Sequence, residues 1–175
     1  MLNALPGDLD AFLNRIFYLL AEADVCLLRR QVDHLCYHAE SDRQYRRLKA
    51  ELARDNKLLV EGLIGGRAIA TFELAEPVTW HQLSIPLLEL CAPKAGKASR
   101  VGYEHVEVVL SKDESLADFA ARHAHLDLDC RHLHRARNAE VVLGFGTLRV
   151  KFHKESLAEV IEREIANGEV VPVPH

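Results

Sequence analysis

Two short stretches of the sequence place an acid directly before a histidine and then run on as strands. "VDHLCYH" spans Val32 to His38, and "YEHVEVV" spans Tyr103 to Val109. Imidazole and carboxylate side chains are the usual donors for a divalent metal ion, and they also serve as acids and bases. Side chains alternate between the two faces of a strand. His34, Cys36 and His38 therefore share one face, with Leu35 and Tyr37 on the other. In the second stretch His105, Glu107 and Val109 share a face, while Val106, Val108 and Leu110 form an apolar face expected to pack on a helix. By the same alternation Asp33 and Glu104 point away from the histidines and are expected to be structural.

Two further strands carry groups of the same kind. In "WHQLSIPLLELCAP" the residues His81, Leu83, Ile85, Leu87 and Glu89 fall on one face. A carboxylate in so apolar a setting is costly to bury alone, so Glu89 needs a metal, an arginine or water as partner. In "LRVKFH" an apolar face of Leu148, Val150 and Phe152 backs a polar one of Arg149, Lys151 and His153. Each of these residues also has an ordinary reading: a core histidine bonded to a carbonyl, a solvated acid at a strand end, or a wet strand face. Their matched positions in two strands are what raise the set above those readings.

The elements that would position these groups recur in order. Gly7 to Leu28 reads as a helix with Asp8 as N-cap, because Phe12, Ile16, Leu19 and Leu20 recur at helical spacing. The strand at Val32 is followed by an amphipathic helix capped by Ser41. A hairpin comes next, with strands Lys57–Ile64 and Ala68–Leu74 turning at Gly65-Gly66, and then the strand bearing Glu89. Pro86 within that strand predicts a bulge or an edge position. After the connector "KAGKASRVG" the order repeats: the strand at Tyr103, a helix over "DESLADFAARHAHL", and a hairpin turning at Gly144–Gly146. "KESLAEVIEREIANG" closes the chain as a helix. The sequence predicts a single α+β domain over residues 1–175. Two βαβββ modules, about 32–93 and 103–153, form it, with an N-terminal helix in addition.

Composition limits the function classes. The chain has 175 residues, is 49% hydrophobic and carries a formal net charge of −4, as expected of a globular protein with a proper core and no general affinity for nucleic acid. No apolar run approaches the ~20 residues of a membrane-spanning helix. The N-terminal segment carries Asp8 and Asp10 and lacks the basic start of a signal peptide, so a cytoplasmic protein is expected. The four cysteines are scattered without a CxxC pair and read as small buried thiols.

"DHLCYHAESDRQYRRLKAEL", "LLVEGLIGGRAIATFEL", "SIPLLELCAPK", "GYEHVEVVL" and "LRVKFHKESLAEVI", in this order over nearly the whole chain, resemble the YecM family. That resemblance implies the vicinal-oxygen-chelate fold group, shared with glyoxalase I, extradiol dioxygenases and bleomycin-resistance proteins. It implies paired βαβββ modules in two curved mixed sheets around a cleft, with helices outside. Metal ligands in that group come from the first and last strands of each module. Carried onto this chain, those positions are His34 and His105, with Glu89 and His153. The final strand departs from the group's pattern in holding no glutamate.

The leading expectation is a metal-dependent isomerase, lyase or oxygenase. Its divalent ion (Zn, Ni, Mn, Fe or Co) would be held by His34, Glu89, His105 and His153. Glu107 would act as general base or acid, and Arg67, Arg149 and Lys151 would attract a small anionic substrate. The alternative is a binding or sequestering protein of the same fold that has lost its metal. A monomer or homodimer serves either reading, and a structural subunit with a vestigial site is the third.

Overall fold

A computed structural model describes residues 2, 4–28, 30–96 and 101–169. The chain opens with helix α1 (Leu9–Glu22), then strand β1 (Gln31–His38), helix α2 (Asp42–Leu52) and strands β2 (Lys57–Ile64), β3 (Arg67–Trp80) and β4 (Leu83–Cys91). Strand β5 (Gly102–Val109) leads to helix α3 (Leu116–Arg122), strands β6 (Leu128–Asp129), β7 (Val141–Phe145) and β8 (Leu148–His153), and helix α4 (Leu157–Ala166).

All eight strands form one curved, open sheet in the order β2-β3-β4-β1-β5-β8-β7-β6. Each half follows one plan: β4 returns parallel to β1, and β8 returns parallel to β5. β1 and β5 then pair antiparallel at the centre, so the two halves are related by an approximate twofold between these strands. The α+β class and the paired modules are as expected. The two sheets anticipated are, however, merged through β1 and β5 into one, because pairing these strands leaves no unbonded edge in the middle.

The apolar face of this sheet holds the core. Leu35 and Tyr37 of β1, Leu88 and Leu90 of β4, Val106 and Val108 of β5, and Val150 and Phe152 of β8 meet Ile16, Leu48 and Phe119 from α1, α2 and α3. Alternation thus sends every second residue of the central strands under the helices. Their neighbours, including His34, His105 and Glu107, take the opposite face.

Local departures from the expected elements have physical causes. α1 stops at Glu22 rather than running to Leu28, because Asp24 takes a left-handed backbone (φ 55°) and Val25 N–H reaches back to Leu20 C=O at 2.9 Å. β3 continues past Leu74 to Trp80, and His81 (φ 51°) sits in the tight turn before β4. His81 is therefore a turn residue and does not share the strand face of Glu89. Pro86 lies in an interior strand but beside a bulge. The β3–β4 register shifts between Glu73 and Val78, and the β1–β4 ladder begins only at Leu87, so no neighbour needs the missing N–H. The connector residues 97–100 and the tail residues 170–175 lie outside the described residues.

α4 is set by a capping box, in which Ser156 accepts from Glu159 N–H and Glu159 accepts from Ser156 N–H. Leu157 N–H, one of the helix's free donors, goes instead to Asp33 at 3.0 Å. Ser156→Ala is expected to destabilise the protein by about 1 kcal/mol in urea unfolding. It should also speed amide exchange of Glu159, whose N–H loses the Ser156 hydroxyl as acceptor.

Candidate metal and ligand site

The polar face of the central strands gathers the residues singled out in the sequence. Ligand atoms of His34, Glu89, His105 and Glu107 all lie within 4.8 Å of one another. His34 Nε2 is 3.4 Å from Glu107 Oε1 and 3.7 Å from Glu89 Oε2, and His105 Nε2 is 3.1 Å from Glu107 Oε1. Donors bound to one ion at about 2.1 Å in a tetrahedron stand about 3.4 Å apart, so these three separations are close to those of a coordination shell.

Both first-strand histidines are held by the acid that precedes them. Asp33 Oδ2 is 2.9 Å from His34 Nδ1, and Glu104 Oε2 is 2.8 Å from His105 Nδ1. Strand alternation had sent these acids to the opposite face, and two β-bulges overturn that. Val32 and His34 stand opposite Val108 and Glu107, so Asp33 is an extra residue in β1. Cys36 and Tyr37 stand opposite His105 and Tyr103, so Glu104 is an extra residue in β5. A bulge bends its strand and re-aims a side chain. Here each one lets an acid grip the outer nitrogen of its histidine. The sequence did hold a signal for this, the acid before each histidine, but alternation alone could not read it.

The consequence is a fixed tautomer. With Nδ1–H donated to a carboxylate, a neutral imidazole presents its bare Nε2 to the centre. His153 is held likewise, with Nδ1 donating to Ala139 C=O at 3.1 Å. Its Nε2 lies 2.7 Å from Glu107 Oε2, yet His153 Nε2 and His34 Nε2 are both buried without an aligned hydrogen-bond partner. Leaving such a nitrogen unsatisfied costs about 1–3 kcal/mol. Either the imidazoles are protonated against Glu107 or a cation sits among them. The donor set fits a divalent ion, with Asp33 and Glu104 as the outer carboxylates that metal-bound histidines commonly use.

The site lines a cavity of about 300 Å³ whose wall also includes Arg67, Lys151 and His153. Lys151 Nζ donates to Glu107 Oε1 at 2.6 Å. Arg67 contacts His38, with Nη2 3.3 Å from Nε2. Arg149 does not line this cavity; it is 57% exposed and reaches Glu104 at 3.5 Å. His153 touches Glu107 from the side and does not enter the four-residue group, whereas Glu107 does. Sequence reasoning missed Arg135, Asn138 and Glu140, which line the cavity from the segment before β7. They carry no periodic pattern that would announce them. A larger cavity of about 810 Å³ lies beside α1 and brings no histidine or cysteine with it.

Electrostatics among these side chains favour ionised forms. Burial works against the charge on Glu107, but His34⁺ and Lys151 outweigh it and hold the carboxyl well below its usual range. Glu89 is likewise opposed by burial and lowered by His34, and Glu104 is brought to about 2 by His105, His38 and Arg149. Burial pushes the His34 imidazole down, yet Glu107, Asp33 and Glu89 together raise it well above the usual value. The depressed carboxylates contribute stability that is present above about pH 4.3 and lost as pH falls through their folded values. Raised His34 contributes stability that is present below about pH 6.5 and lost as pH rises. The chelated protein is therefore expected to be most stable to urea between about pH 4.5 and 6.5. His34→Gln should flatten the alkaline limb.

The fold and site define an α+β protein of paired modules with a buried His/Glu cluster at the junction of its halves. The YecM protein family matches residues 1–164, and the chain belongs to that family. It is 24% identical to Protein YecM of Escherichia coli over 177 aligned positions, covering 93% of this chain and 94% of that one. It is 30% identical over 109 residues to an uncharacterized protein of Haemophilus influenzae, a match that spans 62% of this chain and 57% of the relative. The solved structure of a structural-genomics protein, EC4020, superposes with a TM-score of 0.74 at 23% identity, covering 90% of this chain and 89% of that one. No described helix is long and apolar enough to cross a membrane.

Proposed function

We propose that the chain is a divalent-metal protein of the vicinal-oxygen-chelate type, acting on a small anionic molecule that offers adjacent oxygens. The observation that carries this reading is the orientation of His34 and His105. Each has Nδ1 tied to an acid, and each turns Nε2 toward Glu107. His34, Glu89, His105 and Glu107 would hold the ion, and His153 would brace Glu107 from outside. A bound ion would supply Lewis acidity toward the ligand's oxygens, the chemistry shared by isomerases, lyases and oxygenases of this type. Lys151 keeps Glu107 ionised, and Arg67 and Arg135 give the cavity wall the positive charge that an anion needs. The cavity volume suits a small molecule.

A second reading is a binder that works without metal. The Lys151–Glu107 pair favours it, because Lys151 already satisfies one of the oxygens that an ion would take. The two separate in one experiment. Protein dialysed against Zn²⁺, Mn²⁺, Fe²⁺, Ni²⁺ or Co²⁺ is assayed for bound metal, then for thermal stabilisation by small dicarboxylates and hydroxy acids, with and without chelator. Stabilisation that disappears with the chelator is the expected result. Stabilisation indifferent to the chelator, with no stoichiometric metal at the His/Glu group, would overturn the metal reading in favour of the binder.

A further inference from the structure

One step along the same sheet face lies a second set of donors. Cys36 and His38 follow His34 at alternate positions of β1, and Cys91 follows Glu89 by two on β4. In the parallel β1–β4 ladder Cys36 stands opposite Glu89, and His38 stands opposite Cys91. The two sulfur atoms are 3.5 Å apart, and a ring nitrogen of His38 joins them so that all three donors lie within 4.8 Å of one another. Both thiols are fully buried, and His38 is 6% exposed.

Buried cysteines alone would be ordinary packing, here against Ile69. His38 is what distinguishes the cluster. Its Nε2 lies 3.3 Å from both Glu104 Oε2 and Arg67 Nη2, while its Nδ1 is buried with no hydrogen-bond partner. The tautomer that gives Nε2–H to the carboxylate leaves a bare lone pair on Nδ1, and no described group donates to that nitrogen.

We propose that Cys36, His38 and Cys91 form a second metal site, for a thiophilic divalent ion of the zinc class, which ties β1 to β4. Two thiolates and one nitrogen are the donors such an ion prefers, whereas the neighbouring His/Glu group offers only nitrogen and oxygen. Two thiolates with a divalent ion are electrically neutral, which suits a fully buried place. Glu104 stands behind His38 as an orienting carboxylate, and one of its oxygens is within the same reach of Cys36. Glu104 also holds His105, so a single bulge residue braces a histidine of each group. The proposal does not depend on metal at the His/Glu group, since the two donor sets are separate.

The test uses the full chain carrying Cys26→Ser and Cys130→Ser, which leaves Cys36 and Cys91 as the only thiols. Reduced, metal-free protein is titrated with Co²⁺. The expected result is an intense near-ultraviolet thiolate-to-metal band that grows with one equivalent of cobalt, apart from any cobalt held by the His/Glu group, and that Zn²⁺ displaces. The band should survive His34→Ala/His105→Ala and vanish in Cys36→Ala or Cys91→Ala. Absence of the band in the folded parent at saturating Co²⁺ overturns the proposal, whether or not the alanine variants fold. So does a band that persists in a folded Cys36→Ala or Cys91→Ala chain. Failure of the parent itself to bind Mn²⁺, with the cobalt band intact, would count against the His/Glu reading alone.

Discussion

Replacing His34 or His105 by alanine is expected to weaken Mn²⁺ binding more than 100-fold, and replacing both should abolish it, as read by equilibrium dialysis. Mn²⁺ is the discriminating probe, because it takes nitrogen and oxygen donors and leaves thiolates alone. The size follows from a comparison within the site. Removing a carboxylate that merely orients a ligating histidine typically costs about 10–100-fold in affinity. Asp33→Asn and Glu104→Gln should fall in that range, since Asp33 and Glu104 reach His34 and His105 at their outer nitrogens, at 2.9 Å and 2.8 Å. Losing the ligand itself must cost more. Affinity should also climb with pH over the range in which His34 loses its proton, because a protonated imidazole cannot bind an ion. Equal, small losses from all four substitutions would count against a coordination shell here.

The second large effect is on stability. Glu107→Ala is expected to destabilise the chelated protein by about 3–5 kcal/mol, measured by urea unfolding near pH 6, because it strands buried positive charge. Glu107 stands 2.6 Å from Lys151, 2.7 Å from His153, 3.1 Å from His105 and 3.4 Å from His34. No other described carboxylate touches all four. Glu107→Gln keeps an acceptor and should cost less. Adding Lys151→Met to Glu107→Ala should recover part of the loss, since the two side chains share one ion pair and their effects will not add. Full additivity would mean that the pair contributes nothing.

Much of the architecture follows from patterns visible along the chain. The apolar alternation of Val106, Val108 and Leu110 predicts a strand backed by a helix, and Phe119 of α3 lies in the cluster that covers it. Ser41 and Ser156 lie before amphipathic runs, and both cap helices. The recurrence of strand, helix and hairpin predicts two modules, and β1 and β5 occupy equivalent places in them. Errors fell where a local conformation cut across the pattern. One left-handed residue at Asp24 ended α1 early, and another at His81 turned an expected strand residue into a turn.

By itself the sequence determined which residues could meet. Alternation has a strict period of two, so His34, His105, Glu107 and Glu89 had to share the face opposite the core once their strands were paired. It also set the family, because short dissimilar phrases in one order over the whole chain do not recur by chance. Tertiary structure alone decided how those residues meet. The antiparallel pairing of β1 with β5 contains one extra residue on each strand, and those residues are Asp33 and Glu104. A bulge arises from a mismatch between two strands seventy residues apart, so neither strand's own pattern reveals it. That mismatch turns the acids back onto their histidines and so sets the direction in which each imidazole offers its free nitrogen.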